Sequence, residues 1–190
     1  MKIKIAHISN LSDARFFSAF GVDYFGFSLD SLNPNAVTVN EVKDITQWLY
    51  KPILVGEFGI HQNQAEIAYL VQQLSLQEIQ IPFAHPDKDL MDFSKFIQID
   101  YNEIQKVTGS ADYFILSLNN KQLADKAVLD FIQQHKVFLE APVEPEMLNA
   151  WLTIVRPYGI QIRCQRESED CLFNTDYYAE VLEIIEQHTT

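Results

Sequence analysis

Five polar side chains fall near the downstream ends of short apolar runs, where a fold of alternating strands and helices gathers its chemistry. His7 lies near the end of 2–8, Glu57 of 52–58, Asp100 of 96–100, Glu140 of 136–140 and Arg163 of 158–163. An imidazole, with an ordinary pKa of about 6.5, can abstract a proton near neutrality. Carboxylates set beside a cation in a cleft can exchange protons with a substrate, and an arginine fork grips anions. His7, Asp100 and Glu140 are therefore the catalytic candidates. Arg163, Glu57 and Gln80 are the ligand-binding ones, with Lys4 deeper in the first run. The same residues also read as mutually neutralising ion pairs plugging a site whose function has gone. His7 carries its own ambiguity, because side chains alternate along a strand and its phase sends it away from the others.

Other chemistries have little support. His61, His85 and His135 are isolated, and no HxH or HExxH pattern exists, so no metal centre is expected. No cofactor motif stands out. Cys164 and Cys171 are seven residues apart, the wrong spacing for a CxxC site. Cys164 could be reactive if Arg163 or Arg166 lowers its pKa; a plain buried thiol is the alternative. Fourteen Lys and Arg against 26 Asp and Glu give a net charge of −12. Such a surface repels nucleic acid and anionic membranes. No apolar run approaches a membrane span, and the chain starts directly on a strand pattern with no leader-like segment. A cytoplasmic protein is expected.

The elements that must hold these residues form a regular alternation. Strands are expected at 2–8, 22–29, 52–58, 77–82, 96–100, 112–118, 136–140 and 158–163. Helices are expected between them, near 12–20, 39–50, 61–73, 87–94, 101–107, 121–135, 144–155 and 174–188. Those at 87–94 and 101–107 are poorly periodic, and single turns would suit them. Ser12-Asp13 reads as a helix start and Gly21 as a stop, Asn119 or Asn120 as a cap, and Pro145 as a first-turn residue.

Eight strands interleaved with eight helices imply a parallel sheet. In a doubly wound open sheet the central strands are apolar on both faces. Here Ile3 and Ile5 alternate with Lys2 and Lys4, and Ile97 and Ile99 with Gln98 and Asp100. Tyr158, Ile160 and Ile162 likewise alternate with Gly159, Gln161 and Arg163. A closed (β/α)8 TIM barrel suits this pattern, with the apolar face toward the helices and the other face lining the interior. The 190 residues are then one domain, compact beside the roughly 250 typical of the fold.

Particular residues carry a resemblance. Lys4-Ile5-Ala6-His7-Ile8-Ser9 is similar to Lys-Ile-Cys-Gly-Ile-Thr, the opening strand of phosphoribosylanthranilate isomerases, barrel enzymes of tryptophan biosynthesis. Val55-Gly56-Glu57-Phe58 and Ile79-Gln80-Ile81 resemble that family's third and fourth strands. Leu139 to Glu146, Val155-Arg156-Pro157 and Glu167 resemble its seventh-strand to eighth-strand region. The resemblance implies a compact barrel and an Amadori rearrangement of an N-linked phosphoribosyl group. A Cys ending the first strand would be the base, and an Asp ending the sixth the acid. Ala6 and Ser117 stand at those positions, and neither an alanine nor a serine hydroxyl can do that proton work near neutrality. Ala141-Pro142 and Arg163-Cys164-Gln165 replace the small residues of the family's phosphate cradle, and Asn35 falls near its anion-binding Arg.

Two functions follow as expectations. The first is a catalytically degenerate relative, serving as a binding or regulatory module. The second is an enzyme with relocated groups, acting on the family substrate or another small anionic metabolite. A mouth filled by Phe58, Phe83 and Arg163 would favour the first, and an open polar pocket the second. A homodimer is compatible with the resemblance.

Overall fold

The computed structural model describes residues 1–86, 93–109, 111–119, 121–140, 145–164 and 175–189. Eight parallel strands close into a barrel in chain order. They are β1 (Lys2–Ala6), β2 (Tyr24–Ser28), β3 (Ile53–Glu57), β4 (Glu78–Pro82), β5 (Lys95–Asp100), β6 (Tyr113–Ser117), β7 (Val137–Glu140) and β8 (Gly159–Arg163). β1 pairs with both β2 and β8, so the sheet has no free edge. Around it run α1 (Leu11–Ala19), α2 (Val39–Thr46), α3 (Gln64–Leu74), α4 (Lys126–Gln134), α5 (Pro145–Ile154) and α6 (Thr175–Gln187). The (β/α)8 TIM barrel expected from the alternation is the observed architecture.

Local chemistry sets the helix ends. Asn10 caps α1 by accepting the Asp13 N–H at 2.9 Å, and Gly21, at φ 69°, turns the chain toward β2. Thr38 with Glu41 and Asn63 with Glu66 form capping boxes on α2 and α3. Pro145 is the first residue of α5. The helix expected at 121–135 starts later, at Lys126, where Asp125 accepts the Ala127 N–H. Asn119 is spent upstream on a turn, accepting the Lys121 and Gln122 N–H groups. Asn120 and most of the helix expected at 87–94 lie outside the described residues. The element at 101–107 is a short 3-10 helix (Tyr101–Lys106).

Two apolar layers divide the strands' faces. Ile5, Phe27, Ile81, Ile99, Leu116, Leu139 and Ile162 face the helices and are almost fully buried. Inside the barrel, Tyr24, Val55, Phe96, Ile115 and Phe138 pack together near the strands' N-terminal ends, with Tyr113 and Tyr158 against them. Alternation alone places Tyr158 on the helix-facing side with Ile160. It precedes β8, escapes the strand's alternation, and its ring packs on Phe138 in the interior. Gly159 is required beside it, since a Cβ there would lie 2.4 Å from the Phe138 ring.

Candidate active site at the barrel mouth

Above the aromatic floor the interior becomes polar. Lys4, in the middle of β1, has no solvent exposure. Its Nζ donates to Glu57 Oε1 at 2.6 Å and to Gln161 Oε1 at 2.8 Å. Burial pushes the ammonium below the ordinary lysine range, and the Glu57 carboxylate pulls it back. Room for that carboxylate exists because residue 26 is glycine: a Cβ there would sit 2.2 Å from Glu57 Oε1.

The other Glu57 oxygen reaches His7. It accepts the His7 backbone N–H at 3.1 Å and lies 3.6 Å from the ring Nε2. Strict alternation would turn His7 outward. Instead its backbone adopts φ 60°, a left-handed conformation costing about 1–2 kcal/mol for a residue with a Cβ. That twist sends Ile8 into the helix-facing core and leaves His7 lining the mouth. Burial, helped by Arg163 and Lys4, holds its pKa below the ordinary histidine value against Glu57. The ring is therefore neutral at pH 7 and able to accept a proton.

A second pair crosses the rim. Arg163, at the end of β8, meets Glu140 Oε1 through Nη2 at 2.6 Å. The Ser117 hydroxyl donates to the other Glu140 oxygen in a short contact. Ala6, beside Arg163 in the β1–β8 register, is buried. Asp100 stands beside Ser117 in register but is exposed, at the start of the 3-10 helix, where its N–H donates to Glu103. It does not join the residues around the cavity.

That cavity has a volume of about 200 Å³, below the roughly 300–1,000 Å³ of drug-sized ligand sites. His7, Glu57, Gln80 and Arg163 all line it, so four of the six site candidates converge. Ser28, Gln98 and Pro82 also line it. Strand alternation gives the signal for them: Pro82 lies two residues after Gln80 in β4, and Ser28 and Gln98 alternate with the helix-facing Phe27, Ile97 and Ile99. Asp30 and Asn33 enter from the loop after β2, and only coordinates could place them. Asp30 lies 3.3 Å from His61, and the Asn35 N–H donates to Asn33. Phe58 forms a wall, while Phe83 packs on the helix-facing core, so the mouth is narrowed rather than filled.

Several buried polar atoms at this end have no hydrogen-bond partner among the described residues: His7 Nδ1, Gln80 Oε1, Gln161 Nε2 and Arg163 Nε. Each such orphan costs about 1–3 kcal/mol. Cys164 is buried, and burial, reinforced by Asp13 and Glu57, pushes its thiol well above the usual range, so it behaves as an inert core thiol. Ala141, Pro142, Gln165, Arg166, Glu167 and Cys171 lie outside the described residues. Among the described residues no group of three or more His, Cys, Asp or Glu side chains could hold a metal ion. No described helix is long and apolar enough to cross a membrane.

No protein-family model matches the chain. Individual relatives do. The N-(5'-phosphoribosyl)anthranilate isomerase of Aquifex aeolicus is 25% identical over 191 aligned positions, covering 89% of this chain and 90% of that one. The crystal structure of phosphoribosylanthranilate isomerase from Thermus thermophilus superposes with a TM-score of 0.82 at 19% identity, over 98% of this chain and 99% of that one. Monomers made from the dimeric phosphoribosylanthranilate isomerase of Thermotoga maritima superpose at 0.79 and 16% identity, with coverages of 98% and 99%. The resemblance seen in the opening strand thus extends over the full barrel, at the divergence expected of a distant relative.

Proposed function

We propose that this chain is a cytoplasmic, one-domain phosphoribosylanthranilate isomerase-like barrel that no longer carries out the isomerisation and uses its mouth to bind a small polar metabolite. The observation behind this reading is the state of the two rim positions where the resemblance requires a base and an acid. Ala6 is buried with no ionisable group, and the Ser117 hydroxyl is occupied by Glu140. Arg163, the natural anion contact, is also turned onto Glu140.

The test is direct. Purified chain mixed with N-(5'-phosphoribosyl)anthranilate should give no conversion above the uncatalysed rate, and its gene should not rescue a tryptophan auxotroph lacking the isomerase. Robust conversion overturns the proposal.

One observation favours a second reading, an enzyme with relocated groups. His7 lines the mouth and is held there by a strained backbone, and such strain clusters at functional sites. On this reading His7 is the base, with Glu140 reaching toward the vacated acid position. Conversion that disappears in His7→Ala while folding is kept would select it. Self-association, supported by the dimeric relative, is checked by light scattering on the purified chain.

A further inference from the structure

A second and larger cavity lies at the far end of the barrel from the mouth. It is a groove of about 550 Å³, within the roughly 300–1,000 Å³ of small-molecule sites. Met1, ahead of β1, and Pro157, ahead of β8, line it together with the C-terminal ends of α5 and α6. Those ends are held in place. Leu152 and Val155 are buried in the helix-facing core, and His188 Nε2 lies 2.9 Å from Asn149 Oδ1, which ties the chain after α6 to α5.

The groups that could grip a ligand here face solvent. Thr153, Arg156, His188 and Thr189 line the groove and are exposed. The Thr153 hydroxyl donates to the Asn149 carbonyl at 2.9 Å and the Thr189 hydroxyl to the Ile185 carbonyl at 2.8 Å, so both oxygens keep lone pairs for a ligand donor. Arg156 supplies a guanidinium, whose planar fork matches the two oxygens of a carboxylate. At the mouth, Lys4 and Arg163 each face a carboxylate; among the described residues lining this groove none is Asp or Glu. Met1, Val155 and Pro157 give it an apolar side.

Two effects oppose an anion at this end, and both are smaller than the contact. The chain's net charge of −12 acts at long range, where salt screens it beyond about 8 Å. The C-terminal ends of α5 and α6 carry partial negative charge, which weakens an anion by roughly two- to fivefold each at an exposed position. Each charge-assisted hydrogen bond from the fork strengthens it by roughly tenfold or more.

We infer that this groove is a second ligand site, for a small monocarboxylate with a flat apolar body. The carboxylate sits on Arg156 and the body against Met1, Val155 and Pro157. The inference goes beyond the function proposed for the mouth and stands or falls apart from it.

The experiment titrates the isotope-labelled full-length chain with benzoate and follows the amide signals by NMR at fixed pH and ionic strength. Benzamide is the uncharged isostere, and acetate is the carboxylate without the body. Benzoate should move the Thr153, Arg156, His188 and Thr189 signals saturably, with a dissociation constant of about 1 mM, and leave those of Glu57 and Gln80 at the mouth in place. Benzamide and acetate should each bind about tenfold more weakly or worse. Arg156→Gln, at an exposed position, should weaken benzoate by about tenfold or more and keep the urea midpoint. The benzamide comparison uses the unaltered chain, so a folding defect in the variant does not spare the inference. Benzoate that fails to saturate these signals, binds no better than benzamide or acetate, binds the folded Arg156→Gln chain equally well, or moves only the mouth signals overturns it.

Discussion

Replacing Glu57 by Gln isolates what the buried charge pair contributes. The substitution keeps the side chain's shape, but it removes the negative charge facing Lys4 and leaves one accepting oxygen where two were used, so either Lys4 Nζ or the His7 N–H also loses its acceptor. Lys4 has no exposure and Glu57 has 5%, at 2.6 Å, so solvent cannot take over the lost partner. Breaking one side of such a pair costs about 3–5 kcal/mol. Gln161 still accepts one Lys4 N–H, which favours the lower end. The ceiling is the cost of neutralising an ordinary lysine at pH 7, about 4.6 kcal/mol. Glu57→Gln should therefore lose about 3–4.6 kcal/mol, or roughly 6–18 °C in Tm for a chain of this size. Burial already lowers the folded pKa of Lys4, so the unfolded state binds more protons between that value and about 10.4, and stability rises with pH across that window. The deficit should be largest near neutrality and shrink as pH climbs. Urea denaturation of Glu57→Gln, Lys4→Met and the double variant measures it, with the double variant losing less than either single one. A loss below about 1 kcal/mol for Glu57→Gln, or single penalties that simply add in the double variant, would refute the reasoning.

Further outcomes concern the same rim. His7→Gly should hold stability or gain up to about 1 kcal/mol by releasing the left-handed strain, whereas β-branched His7→Val should lose more than 1 kcal/mol; the urea midpoints compare them. The His7 ring should titrate below 6.5 by NMR, and because its folded pKa is depressed, the unfolded state binds more protons as pH falls through 6.5 and stability drops on that side. His7→Asn should flatten that acid-side slope. Gly26→Ala should cost about 1–3 kcal/mol by driving a methyl into the Glu57 carboxylate, read as a lowered urea midpoint.

The barrel was legible because closure imposes a visible code. Ile3 and Ile5 against Lys2 and Lys4, or Ile97 and Ile99 against Gln98, state which face meets helices, and the coordinates agree. The convergence of Glu57, Gln80 and Arg163 followed from the same parity. His7's direction was not legible from the alternation, because one left-handed residue exchanges its direction with that of Ile8; its place at the glycine of the resembling strand was the hint of that twist. Asp100 misled for a related reason: a strand-terminal carboxylate can serve either the rim or the next helical turn, and here it starts one. The late start of α4 reflects two capping side chains, Asn119 and Asp125, competing within one stretch, with the turn using the first.

The packed rings of Tyr24, Phe96, Tyr113 and Phe138 make this barrel a cup rather than a pipe. Whatever enters must leave over the same lip, so traffic and cohesion reside at opposite ends of the molecule. Mutations at the lip can then rewrite a specificity while the sealed base keeps the vessel intact.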